Sequence, residues 1–152
     1  MKKTELKQGL FDHCTAAIAR RRAKIETVIQ DIEESLAEET KGTAGDKHET
    51  GRAMLHIDRE QAGTQLMEIE RIEAVLKKID LKQKSDYARL GSLVYTSMGT
   101  YFLSTSVGEI KWGGKSYYAI AMDAPLGKLL LGKKGGDTIP FRDQQVKITS
   151  IY

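Results

Sequence analysis

From Lys3 to Glu39 the apolar residues recur at Leu6, Leu10, Cys14, Ala17/Ile18, Ile25, Val28/Ile29, Ile32 and Leu36. Steps of three and four keep one face of a 3.6-residue helix apolar, and within that span only Gly9 is a helix-weakening residue. A second run with the same spacing extends from about Glu49 to Ile79, through Leu55, Ala62, Leu66, Ile69, Ile72 and Leu76. Charge crowds the remaining faces, as in the stretch EIERIEAVLKK. Neither helix can bury its stripe alone, and the break between them is short. The pattern therefore predicts an antiparallel two-helix coiled coil over residues 1–82. Its expected tip is Thr40 to Arg52, where Gly42, Gly45 and Gly51 interrupt both runs. Gly63 inside the second helix costs about 1 kcal/mol relative to Ala, and the sequence supplies no reason for it.

Asp80 to Asp86 reads as a linker, after which the period changes to two. Leu90–Tyr95, Thr100–Thr105 and Ser116–Ala121 are rich in aromatic and β-branched residues, with glycine turns at Met98-Gly99 and Trp112-Gly113-Gly114. A short helix is expected from Pro125 to Leu131, with Pro in its first turn and Gly132 as its stop. A Gly135–Asp137 turn then leads to a last strand, Gln145–Ile151. The second domain, 83–152, is thus expected to be an antiparallel sheet with one short helix, making the whole chain a two-domain α+β protein.

Composition narrows the function classes. No apolar run approaches the ~20 residues that span a bilayer, and the opening MKKTELKQGLFDHC lacks an apolar core and a cleavage site, so neither a signal peptide nor a membrane partner is expected. The single cysteine, Cys14, rules out an internal disulfide; it fits a cytoplasmic protein and reads as a small buried hydrophobe. The net charge of +3 conceals an asymmetry: residues 1–83 hold 15 Lys+Arg against 16 Asp+Glu, and residues 84–152 hold 9 against 5. The second half is modestly basic, which is compatible with an acidic partner without demanding one.

The candidate chemistry sits at the tip. Asp46 and Glu49, three apart at the start of a helix, have the spacing of a capping box. They also have the spacing to contribute to a Mg²⁺ site, but two carboxylates are too few for a hard-cation cage without ligands from a partner. Lys41, Lys47 and Arg52 flank them as candidate RNA contacts. Gly127 to Lys134 nearly matches a phosphate-binding loop, but Lys134 stands where a hydroxyl should be and three leucines fill the loop, so Leu129 to Leu131 is expected to be core instead. His13, His48 and His56 do not converge on a metal by spacing, and Arg20-Arg21-Arg22 with Lys24 reads as a solvated helix face. No nucleophile–base arrangement is present, so the chain is not expected to be an enzyme in its own right.

Two stretches resemble the Gre-type bacterial transcript cleavage factors (GreA/GreB). At the tip, Gly45-Asp46-Lys47-His48-Glu49-Thr50 is similar to the family's Gly-Asp-x-x-Glu-Asn. Farther on, Ala124-Pro125-Leu126-Gly127-Lys128-Leu129-Leu130-Leu131-Gly132-Lys133-Lys134-Gly135-Gly136-Asp137 is similar to Ser-Pro-[Ile/Leu]-Ala-x-x-Leu-[Ile/Leu]-Gly-Lys-x-x-Gly-Asp. The resemblance implies a coiled coil followed by an FKBP-like domain that docks at the secondary channel of bacterial RNA polymerase. It further implies that Asp46 and Glu49 are lent to the polymerase active centre, where they help hold a shared Mg²⁺ and the attacking water, so that backtracked RNA is cleaved near its 3′ end. Asp123, Ala124 and Pro125 would lie in the docking segment, no cofactor would belong to the factor itself, and it would act as a monomer on the polymerase. The family's Asn, Glu-Tyr and docking Ser are replaced here by Thr50, Arg52-Ala53 and Ala124. These departures bear on cleavage more than on binding and leave a non-cleaving, channel-binding regulator as the alternative. An FKBP-like prolyl isomerase is a third reading, with scattered tyrosines and Trp112 as its only aromatic support.

Overall fold

The computed structural model describes residues 2–41 and 46–152, with side chains described for 2–39 and 50–152. Two long helices, α1 (Lys2–Lys41) and α2 (Asp46–Lys77), precede six strands and a short helix. The chain falls into two compact units, one of Ile18–Glu73 and one of Met1–Ala17 with Ala74–Tyr152.

The Ile18–Glu73 unit contains only helix. Arg22 of α1 pairs with Glu70 and Glu73 of α2, whereas Glu33, farther along α1, pairs with the earlier residue Arg59. As one index rises the other falls, so the two helices run antiparallel, as their short connection requires. The seam is apolar: Ile18, Ile25, Ala62 and Ile69 are buried, each isoleucine contributing about 2 kcal/mol by leaving water. Arg22 is the clamp on this seam. It also reaches Glu26 one turn on, so one member of the basic Arg20–Lys24 run is committed to holding helices together, while Arg20, Arg21 and Lys24 stay exposed. At Gly63 a β-carbon would meet only the mobile end of Arg59, so packing does not require that glycine.

The second unit is built on a six-stranded sheet, in the order β3-β4-β2-β1-β6-β5. Its strands are β1 (Leu93–Thr96), β2 (Thr100–Ser104), β3 (Gly108–Trp112), β4 (Lys115–Ala121), β5 (Thr138–Phe141) and β6 (Gln144–Ile151). The two-domain α+β class agrees with the sequence pattern, but the sheet is not purely antiparallel as expected, because β2 and β4 run parallel. The cause lies in the β3–β4 hairpin. Only Ile110 is buried in β3, whereas Tyr117 and Ala119 are buried in β4. The polar first strand therefore stays at the edge, and the apolar returning strand inserts beside β2, running in its direction. β5 takes the other edge, where the missing N–H of Pro140 is harmless. Period-two reading missed β3, in which only Ile110 is buried, and β5, a four-residue strand in which Pro140 argues against a strand.

Side chains alternate between the two faces of the sheet. One face carries Val94, Tyr101, Leu103, Ile139, Val146 and Ile148, packed with Leu126 and Leu130 of α3 (Pro125–Leu130). The opposite face carries Leu93 and Phe102, which pair across β1 and β2, and Ser104 two residues farther along β2. The first turns of α1 belong to this same unit. Cys14, fully buried, places its Sγ 3.6 Å from the Ser104 hydroxyl, and the Trp112 indole lies against Gly9. Burial pushes the Cys14 thiol above its usual range, as befits a packing residue rather than a nucleophile.

Candidate functional site

The tip residues divide at the limit of what is described. Asp46 opens α2, and Glu49 lies three residues into the same helix. The side chains of Lys41, Asp46, Lys47 and Glu49 lie outside the described residues, and so does the capping role expected for the two acids. Arg52 is described and exposed, in the second turn of α2, with Gly51 before it. His13 and His56 are exposed, and among the described residues no group of three or more His, Cys, Asp or Glu side chains gathers in a way that would hold a metal.

The second candidate is the segment entering α3. Asp123 and Pro125 are exposed and Ala124 is half-buried. Ala124 occupies the N-cap position in an extended conformation, and no side chain caps the helix. Pro125 is pre-shaped for the first helical turn and gives up an N–H that would have had no partner there. Gly127 is fixed by close approach: a β-carbon would come within 3.0 Å of the Ala121 carbonyl oxygen, which is backbone and cannot swing away. Glycine is therefore the residue that fits at this position without moving backbone.

The stretch after α3 is a structural turn. Gly132 has φ 82° and donates its N–H to the Ala88 carbonyl at 2.7 Å. The N–H groups of Leu131 and Lys133 are bound to the carbonyls of Gly127 and Leu130, and that of Lys134 to the Asp137 carboxylate at 2.8 Å. Four successive donors are therefore spent internally, leaving none to cradle a phosphate. Leu130 is buried and Leu129 partly so, but Leu131 is exposed, which corrects the expectation that all three leucines are core. Gly136, with φ 94°, and Asp137 complete the turn into β5. The stretch from Leu131 to Asp137 is thus one hydrogen-bonded connection, and Asp123 and Pro125 are exposed at the entry to α3.

The aromatic residues of this unit do not converge on one pocket. Tyr101 and Tyr118 pair with ring centroids 5.8 Å apart on the α3 face, whereas Trp112 packs against Gly9 of α1. An isomerase-type cavity lined by all of them is excluded by that separation.

One more titratable group is built into the fold, and sequence reading did not single it out. Lys7 of α1 is buried, donates from Nζ to the Tyr152 carbonyl at 3.2 Å, and lies over the Tyr152 ring. Burial, and secondly the charge of Arg89, lower its pKa. Its signal in the sequence was a lysine beside the apolar stripe, one residue after Leu6. Its long stem reaches along the apolar surface while the ammonium is drawn to a carbonyl.

No protein-family model matches the chain, and no curated protein matches it either. Among solved structures, a match is one titled "Structure of the transcription factor Gfh1", at 14% identity, covering 90% of this chain and 92% of that chain, with a TM-score of 0.34. No helix among the described residues is long and apolar enough to cross a membrane.

Proposed function

We propose that the chain is a Gre-like transcription factor that docks on bacterial RNA polymerase and lends Asp46 and Glu49 to its active centre. The observation that carries this reading is the coexistence, in one chain, of the Gly45-Asp46-x-x-Glu49 motif and the Pro125–Asp137 motif. The first opens the second helix of an antiparallel hairpin, and the second enters and leaves α3 of a separate compact unit. The factor itself is not an enzyme in this reading, and the polymerase supplies the remaining metal ligands. A Mg²⁺ held there would activate water and stabilise the leaving oxygen. The carboxylates of Asp46 and Glu49 raise the occupancy of a weak site, and Lys41, Lys47 and Arg52 offer charge to the nearby RNA backbone. Docking is assigned to Asp123, Ala124 and Pro125.

The non-cleaving alternative is favoured by one specific feature: Thr50 and Arg52-Ala53 stand where the family pattern has Asn and Glu-Tyr. In that case the hairpin occupies the secondary channel and regulates without donating catalytic groups. Direct binding to purified core polymerase separates both readings from all others. Nanomolar to micromolar binding that weakens with Asp123→Ala/Pro125→Ala supports docking through this segment. Absence of binding by the native chain rejects the polymerase reading altogether.

A further inference from the structure

Lys7 lines a cavity of about 200 Å³ together with Thr4, Lys82, Gln83, Lys84 and Tyr152. All of them belong to the unit of Met1–Ala17 with Ala74–Tyr152. Three are lysines, and no carboxylate side chain lines the cavity. Hydrogen bonds fix its frame. Tyr152 pairs with Leu93 through both its main-chain N–H and its carbonyl, each at 2.9 Å, and its hydroxyl meets Thr4 Oγ1 at 2.8 Å. On the other side, the Asp80 carbonyl accepts from the Gln83 N–H at 3.2 Å, and the Asp80 carboxylate accepts from the Lys82 N–H at 3.0 Å. This Asx-type turn sets the path of the chain that carries Lys82 and Lys84.

What the frame leaves over is hydrogen-bond donors. The Lys7 residue is only 2% exposed, and its ammonium gives one of three N–H groups to the Tyr152 carbonyl, which already accepts from the Leu93 N–H. Among the described residues, no side-chain carboxylate forms an ion pair with Lys7, Lys82 or Lys84. Gln83 turns its amide oxygen to Arg89 Nη2 at 2.7 Å, so its NH₂ remains a donor. The Thr4–Tyr152 hydroxyl pair uses one proton and keeps the other to give. A buried cation with spare donors and no side-chain counter-charge is costly unless an anion joins it.

We propose that this cavity binds the phosphate group of a small molecule, with Lys7 as its buried anchor and the exposed Lys82 and Lys84 at its rim. A phosphate offers several charged acceptor oxygens, which match a wall made of donors. A volume of about 200 Å³ holds that group, but it is below the ~300 Å³ at which sites enclose a whole drug-sized ligand. Any carrier of the phosphate therefore extends outside. A second cavity, of about 280 Å³, shares Lys84 and Tyr152 and adds Ser85 and Asp86, side chains that bind hydroxyls rather than phosphate. The pair of cavities suits a phosphomonoester of a hydroxylated carrier as well as free phosphate. The site stands apart from the polymerase reading, because none of its residues is assigned to the tip or to docking.

The test is an NMR titration of the ¹⁵N-labelled full chain in phosphate-free buffer at fixed ionic strength, with inorganic phosphate and ribose 5-phosphate as probes. Saturable shifts are expected at residues 4–7, 82–84 and Tyr152. Lys7→Met keeps the apolar stem, and Lys82→Ala/Lys84→Ala changes only exposed residues; each is expected to weaken binding at least about tenfold. Lys111→Ala/Lys115→Ala removes two equally exposed lysines of the β3–β4 hairpin and should bind phosphate like the native chain. Tighter binding of ribose 5-phosphate identifies a phosphomonoester, and binding no tighter than that of phosphate identifies the free ion; both uphold the site. Shifts that do not saturate, the same shifts with chloride, or an equal loss in the Lys111/Lys115 variant overturn it. So does a response to single-stranded RNA alone.

Discussion

Gly9 and Trp112 occupy one space: a β-carbon on residue 9 would fall less than 3.0 Å from three carbons of the indole ring. A glycine inside a long helix costs about 1 kcal/mol in propensity, and here that cost is offset by an aromatic contact with the edge strand β3. The relationship also makes the sole tryptophan a reporter for how the start of α1 seats on the sheet. Gly9→Ala is expected to move Trp112 emission to longer wavelength and to destabilise the chain by about 1 kcal/mol, overpacking outweighing propensity. Stabilisation with unchanged emission would show that the indole contributes nothing at this contact.

Lys7 gives the seating a pH dependence with a definite sign. Its pKa is lowered in the folded state, chiefly by burial, so the unfolded chain binds more protons between the lowered value and the ordinary 10.5. Stability from this group therefore rises with pH across that window, and the full penalty is present below it. Cys14, Tyr95 and Tyr101 are shifted upward by burial and act in the opposite direction at alkaline pH. The informative quantity is thus the difference between native and Lys7→Met chains in urea denaturation from pH 7 to 10. That difference should shift in favour of the native chain as pH rises. A difference independent of pH would mean that the ammonium is solvated as well in the folded state as in the unfolded one.

Gly127 is the residue on which α3 depends most directly. Gly127→Ala forces a methyl group against the Ala121 carbonyl, and a loss of about 2 kcal/mol or more is expected. Thermal denaturation measures it. If the variant is as stable as the native chain, α3 shifts freely over β4, and Asp123 and Pro125 are not held in one place by this contact.

The helices were readable because their apolar steps of three and four run uninterrupted for many turns, and the observed limits of Lys2–Lys41 and Asp46–Lys77 lie close to those inferred. The central strands were readable from Leu93-Val94 and Tyr101–Leu103, which are buried on both faces. β3 escaped because Gly108, Glu109, Lys111 and Trp112 are exposed around one buried isoleucine. The parallel β2–β4 pair was beyond local pattern altogether, since it depends on which strand of a hairpin is the more apolar. The Ala124–Asp137 stretch was legible as a string, but its division into structural and exposed residues was not. That needed the hydrogen bonds of Leu131 to Lys134. The β5–β6 turn was invisible for a different reason: Arg142 and Asp143 are left-handed there, with φ of 49° and 62°, whereas sequence reading looks for such turns at Asn-Gly.

The central claim is that Asp46 and Glu49 act inside the polymerase. Its most direct test is a transcript cleavage assay on a stalled, backtracked elongation complex with Mg²⁺, comparing the native chain with Asp46→Ala/Glu49→Ala. The account predicts shortened RNA with the native chain and at least a hundredfold slower shortening with the double variant, which should still bind polymerase. Binding without cleavage by either protein would contradict the donated-carboxylate claim and leave a regulator that only occupies the channel.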